Sequence, residues 1–146
     1  MTVDNGDPNV SRESHLNAVR NVAVVGLLNG EGQILLVRTK RFPDHWQPIG
    51  GGMKPQDASP RHTLVRELRE ETGLSVQPSD LATEIQADYD FGEGTVFFFS
   101  LQLRGTTHFD FDTSELAEWS WFDIREALRL RVFPATAAFL AHLVQR

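Results

Sequence analysis

The stretch SPRHTLVRELREETGL, Ser59 to Leu74, decides how this chain is read. Ser59 carries a side-chain acceptor suited to capping a helix. Pro60 suits the first helical position, where no backbone N–H is needed. Gly73 supplies the stop just past the last turn. The stretch therefore predicts a helix over Pro60–Thr72. At about 100° per residue, Leu64, Val65 and Leu68 share one arc and face a core. Glu67, Glu70 and Glu71 fall together on the neighbouring arc. Carboxylates at that spacing repel one another by roughly a few tenths of a kcal/mol per pair. They also stand near the helix C-terminus, where the macrodipole disfavours negative charge. Stability alone does not put them there. A solvated Glu/Arg face is the plain alternative. A hard divalent cation such as Mg²⁺, which takes oxygen ligands, would turn the repulsion into coordination.

Working outward, IGGGMKPQD (Ile49 to Asp57) reads as a flexible glycine turn just before the acidic helix, able to pass close to a ligand or offer it a carbonyl. It is not a Walker A loop, because Pro55 follows Lys54, and no GxGxxG pattern is present. Upstream, VAVVGLL (Val22 to Leu28), NGEG (Asn29 to Gly32) and QILLVR (Gln33 to Arg38) read as a β-hairpin. A short strand is expected near Trp46. Downstream, Asp80 to Tyr89 and Thr95 to Leu103 read as strands joined by FGEG, and VFFFSL is too aromatic for anything but a buried strand. Gly105 to Ser114 reads as a loop and Glu118 to Phe122 as a short strand. Asp123 is placed to cap a helix running to about Leu130. Phe133-Pro134 opens a last helix. Strands and helices mix without a regular βαβ repeat, which points to an α/β (α+β) fold with a mixed sheet between helices.

Bulk properties narrow the function. The chain has 146 residues, one domain's worth, and is 40% hydrophobic with ten phenylalanines. A formal net charge of -6 argues against binding long nucleic acid through overall charge, although a metal can invert the local field around a small phosphorylated ligand. There is no cysteine, so disulfides and thiolate metal sites are excluded. The five histidines share no spacing that suggests zinc. No apolar run approaches membrane-spanning length, and the polar first twenty residues read as a mobile arm without a secretory signal. A cytoplasmic protein is the expectation.

Glycine turn, capped helix and glutamate triplet in this order resemble the Nudix hydrolase box, G-x5-E-x7-R-E-U-x-E-E-x-G-U with U aliphatic. The second half matches at Arg66, Glu67, Leu68, Glu70, Glu71, Gly73 and Leu74. The first half departs. Strict spacing puts Gly52 at the glycine and Ala58 at the glutamate. Alternatively Gly51 is the glycine and Asp57 stands in for the glutamate, with one residue inserted; this register also lines up Pro55 and the Ser59-Pro60 helix start.

The resemblance implies a Nudix-type α/β/α sandwich over residues 21–146. It implies a pyrophosphohydrolase that uses Mg²⁺, with Mn²⁺ as the alternative ion, on a nucleoside diphosphate linked to a group X. Glu67, Glu70 and Glu71 match the family's metal ligands, joined by the Gly51 carbonyl and Glu115. Glu67, Glu115 and Glu118 are the candidate general bases, Glu115 being preferred, and Arg66 is expected to brace the glutamates. Arg38 is a candidate partner for an oxyanion, Trp46 for stacking on a base, and Phe133 for the base-pocket edge of MutT-type enzymes. Those enzymes carry an asparagine where this chain has Ala137, so their choice of base is not implied here. The leading substrate is a nucleoside triphosphate, ordinary or damaged, cut to monophosphate and pyrophosphate. ADP-ribose or a nucleotide sugar is the alternative within the class, and a nucleotide sensor that does not cut is the alternative outside it. The expected partner is thus a small nucleotide, with neither membrane nor long nucleic acid; a homodimer is left open.

Overall fold

The computed structural model describes residues 19–146. The arm expected over the first twenty residues therefore lies, but for Val19 and Arg20, outside the described residues. VAVVGLL forms β1 (Val22–Leu28). Asn29 turns the chain by accepting the N–H groups of Glu31 and Gln33 on its Oδ1, at 3.0 and 2.9 Å. β2 (Gln33–Thr39) then returns antiparallel, Leu27 opposite Leu35. The two strands soon part. Beyond Leu27 and Leu28, β1 takes a different neighbour on that edge, β3 (Ile49–Gly52), with Val25 opposite Ile49 and Val22 opposite Gly52.

The glycines expected as a flexible turn are therefore a strand. A Cβ at Gly50 would lie 2.2 Å from the Ala23 carbonyl oxygen, so only bare backbone can run this close to β1. The strand expected near Trp46 reduces to a single bridge, Gln47 to Val37.

After α1 (Pro60–Thr72) and a short 3-10 turn (Pro78–Asp80) come β4 (Ala82–Asp88) and β5 (Thr95–Gln102). β5 pairs parallel with β1 along its whole length. β6 (Leu116–Asp123) pairs antiparallel with β2, starting two residues earlier than expected because Thr39 still finds a partner in Leu116. The sheet is six-stranded and mixed, in the order β4-β5-β1-β2-β6 with β3 on β1.

Two layers of helix close it. Ala23, Val25 and Leu27 point to one face, where Leu64 and Leu68 of α1 cover them. Val24 and Leu28 point to the other, packed by Phe139, Leu140 and Leu143 of α3 (Pro134–Gln145). A strand buried on both faces has no polar side to show, which is why VAVVGLL and VFFFSL are apolar runs and do not alternate. The architecture is the α/β/α sandwich anticipated above. α1 keeps its expected bounds: the Ser59 hydroxyl accepts the His62 N–H at 3.3 Å, and Gly73, at φ 77°, donates its N–H to Arg69 O at 3.1 Å. α2 (Ile124–Ala127) is capped by Asp123 as expected but is shorter, passing into tight turns up to Leu130. Among the described residues no helix is long and apolar enough to cross a membrane.

Gly26 of β1 lies against Phe139 of α3. A Cβ there would stand 3.0 Å from Ile34 Cδ1 and from two ring atoms of Phe139. Gly26→Ala is expected to lower the unfolding free energy by about 1–3 kcal/mol through overpacking, read as a lower denaturant midpoint at an unchanged m-value.

Candidate active site

The α1 acids do not all face water. Leu68 and Thr72 anchor the core side of the helix, and Glu71, between them, is drawn in with them to 9% exposure. Glu70 stays on the outer side and Glu67 is half-buried. With Lys54, Arg66, Asp112 and Glu115, these three line a cleft of about 450 Å³. Burial, the neighbouring Glu67, and the charges of Glu115 and Asp112 push the Glu71 carboxyl up to about 10. So many hard oxygen donors with so little positive charge could hold a divalent cation. As the side chains stand, no group of three acids or histidines among the described residues is already arranged to hold an ion. Arg66 engages two of these acids, Glu67 and Glu70.

That arginine is held from below. Asp57 accepts from Arg66 through both oxygens, at 2.8 Å from Nη2 and 3.3 Å from Nε. The same carboxylate accepts the Lys54 N–H and the Thr63 hydroxyl, each at 2.8 Å. The Arg66 guanidinium, then the Lys54 N–H, hold it far below the ordinary carboxylate range. So fixed, Arg66 places Nη1 at 3.1 Å from Glu67 and 3.6 Å from Glu70. The Glu67 carboxylate rests against β3: a Cβ on Gly51 would be 2.5 Å from its Oε2. The bare edge of the glycine strand is thus the wall on which this glutamate lies.

Glu115 reaches the cleft by a different route. The last carbonyls of α1 have no partner within the helix. Asp110 and Asp112 supply one, donating their N–H groups to Thr72 O and Glu71 O at 2.8 and 2.9 Å. Asp112 then folds the next turn by accepting the Ser114 N–H and hydroxyl at 3.0 and 2.6 Å. The loop FDFDTSE is so docked on the end of the acidic helix, with Glu115 and Asp112 facing the box acids. Asp112 and Lys54 were not singled out from sequence. The Asp-x-Ser turn signal at Asp112 was there to be read, but its target, a helix end some forty residues earlier, was not.

The remaining candidates lie apart from this cleft. Arg38 is ion-paired with Glu118, and its guanidinium lies 4.9 Å from the Trp46 ring centre. Trp46 packs edge-on against Phe122 at 4.8 Å. Arg38 of β2, Glu118 of β6 and Trp46, in the loop after β2, form a group of their own. Phe133 belongs to an aromatic cluster, edge-on to Phe42 at 5.1 Å and to Phe91 at 5.0 Å, with His45 stacked on it at 4.1 Å. Phe42 and Phe91 line a second cleft of about 150 Å³ with Tyr89, Arg20, Arg41 and Gly50–Gly52. β3 therefore borders both the acids and the aromatics. A third cavity, of about 650 Å³ near Leu74–Val76, Arg104 and Arg146, contains none of the box acids.

A mixed-sheet sandwich with a glycine strand beside a helix of clustered glutamates is the frame of one class of proteins. The NUDIX domain model matches residues 18–143, and the chain belongs to the Nudix family. Diphosphoinositol polyphosphate phosphohydrolase 3-alpha of Mus musculus is 29% identical over 100 residues, which are 68% of this chain and 60% of that protein. The match thus spans about three fifths of the curated relative's length. Among solved structures, the E. coli dihydroneopterin triphosphate pyrophosphohydrolase superposes with a TM-score of 0.72 at 17% identity, covering 86% of this chain and 96% of that one. A C. elegans Ap4A hydrolase gives 0.72 at 18% identity, covering 87% and 96%. At such identities the likeness to the structures is one of fold.

Proposed function

We propose that this chain is a Nudix pyrophosphohydrolase that cleaves the diphosphate of a nucleoside diphosphate linked to X, with a nucleoside triphosphate as leading substrate. Glu67, Glu70, Glu71 and Glu115, with the Gly51 carbonyl, would hold Mg²⁺ or Mn²⁺. The chemistry such an ion supplies is neutralisation of the diphosphate oxygens and activation of water. The observation that carries the reading is the convergence of four glutamates and Asp112 on one cleft beside a bare glycine strand, with a lone arginine braced among them.

The chain's own residues divide the work. Asp57 and Arg66 orient Glu67 and Glu70. Glu115 is the favoured general base, because it borders the cleft while Glu118 is engaged by Arg38. Lys54 supplies a cation for a phosphate oxygen. The aromatic cleft on the other side of β3 suits a flat ring, which favours a nucleotide over the polyphosphorylated inositol named for the curated relatives.

The test is turnover, with and without Mg²⁺, of a panel holding nucleoside triphosphates, ADP-ribose, a nucleotide sugar, a dinucleoside tetraphosphate and a diphosphoinositol polyphosphate. Metal-dependent release of a monophosphate from a nucleotide is expected. Binding without turnover would mark a sensor, and turnover of the inositol compound alone would replace the nucleotide. Glu115→Gln is expected to slow turnover about a hundredfold at unchanged thermal stability, as removal of a general base does.

A further inference from the structure

The aromatic rim has a support that nothing in the reaction requires. α3 begins at Pro134, and Phe133 before it has no side-chain oxygen with which to cap the exposed N–H groups. The cap comes from across the fold. Asp90, in the turn between β4 and β5, accepts the N–H of buried Ala135 on Oδ1 at 2.9 Å. A carboxylate at a helix N-terminus also meets the positive end of the helix dipole. The same turn closes through Tyr89 N–H to Gly94 O at 3.0 Å and carries Phe91, which is 54% exposed. Phe91 stacks on Phe42 at 5.4 Å, and both meet Phe133, the residue just before the capped helix. This hydrogen bond ties the turn that carries Phe91 to the first turn of the helix after Phe133, two segments far apart in sequence, at the end of the contact where Tyr89 and Asp90 lie beside Pro134, Ala135 and Ala138. The ring contacts of Phe91 with Phe42, Tyr89 and Phe133 depend on where the turn is held, and the Asp90 cap sets the turn against the start of the helix.

We propose that Asp90 is a positioning residue for substrate affinity: by capping α3 it holds Phe91 against Phe42 and Phe133, and so shapes the surface on which the ring of the substrate rests. This inference rests on the nucleotide reading above. Asp90 touches none of the cleft acids, so its effect falls on binding and spares the chemical step. Removing an interaction that is equally strong in the ground state and the transition state raises KM and leaves kcat alone.

The test uses the full chain as Asp90→Ala and Asp90→Asn, each alone and combined with Phe91→Ala. Kinetics are measured on the nucleotide the parent cleaves and on inorganic tripolyphosphate, which has no ring. Asp90→Ala is expected to raise KM for the nucleotide about tenfold, as the removal of one aromatic stacking interaction would, with kcat within about twofold. Asp90→Asn, which keeps the acceptor oxygen, is expected to stay within about twofold of the parent. In the Phe91→Ala background the Asp90 substitution is expected to change KM no further, and on tripolyphosphate to have no effect. Should Asp90→Ala fail to fold, the Asn variant and Phe91→Ala still decide: a tenfold KM rise in Asp90→Asn, or an unchanged KM in Phe91→Ala, overturns the proposal. An unchanged KM in folded Asp90→Ala, or a fall in kcat on both substrates, does the same. A parent that binds no ring-bearing nucleotide overturns the nucleotide reading and this inference with it.

Discussion

Glu71→Gln is expected to lower turnover about a thousandfold while leaving the metal-free chain at least as stable as the parent. The two halves of this result come from one fact. Glu71 is the only box glutamate drawn into the core side of the helix, and it lies among Glu67, Glu115 and Asp112. Burial and the like charges around it make Glu71 take up a proton when the metal-free chain folds near neutral pH, and a neutral amide of the same shape avoids that cost. The same amide is a far weaker ligand for a hard cation. Thermal unfolding with and without Mg²⁺ separates the effects. The parent should gain stability with metal, since an ion that binds only the folded chain shifts the equilibrium by mass action, and the variant should not. A variant that keeps full turnover, or keeps the metal-induced rise, removes Glu71 from the ligand set. A variant that unfolds easily without metal removes the account of its burial.

Asp57→Ala is expected to cost about 3 kcal/mol of stability and to slow turnover about 10–100-fold. The side chain is 6% exposed and takes both arms of Arg66. Truncation leaves the guanidinium half-enclosed without its counter-ion and frees it to swing, so Glu67 and Glu70 lose the group that orients them. Acid titration gives a second readout. The folded carboxyl is held below its ordinary value of 3.8, chiefly by Arg66. Its contribution is therefore whole above about pH 4, where the unfolded chain's aspartate is already ionised, and fades as pH falls through the lower folded value. Asp57→Asn should flatten that acid limb and leave stability near pH 7 reduced but steady. If the variant's acid limb matches the parent's, the brace is not where the stability lies.

Asp57 also shows how far the sequence reached. Spacing left two registers for the first half of the box, one ending on Ala58 and one on Asp57. Pro55 and the Ser59-Pro60 helix start favoured the Asp57 register, but which carboxylate meets Arg66, across a turn, is not a local matter. Only folding brings Arg66 over Asp57, whose carboxylate is seated by the Lys54 N–H and the Thr63 hydroxyl. The Arg38 group is the opposite case. Arg38 read as a free cation near the phosphates because its partner, Glu118, stands eighty residues away and becomes its neighbour only through the pairing of β2 with β6.

By itself the sequence determined what depends on neighbours within a few residues. The α1 helix, its serine cap and glycine stop, the first hairpin and the two-sided burial of VAVVGLL are written in propensity, capping chemistry and hydrophobic period, which act over one or two turns of chain. The glutamate spacing on α1 belongs there too, since a helix fixes which side chains share an arc. Tertiary structure alone decided the rest. It made the glycine run a strand by laying it on β1, drew Glu71 inward, docked Asp112 and Glu115 on the open end of α1, and gathered Phe42, Phe91 and Phe133 at one rim. Each of these rests on backbone groups or side chains that find their partners only when distant segments meet. Bringing those segments together costs chain entropy that no local signal records.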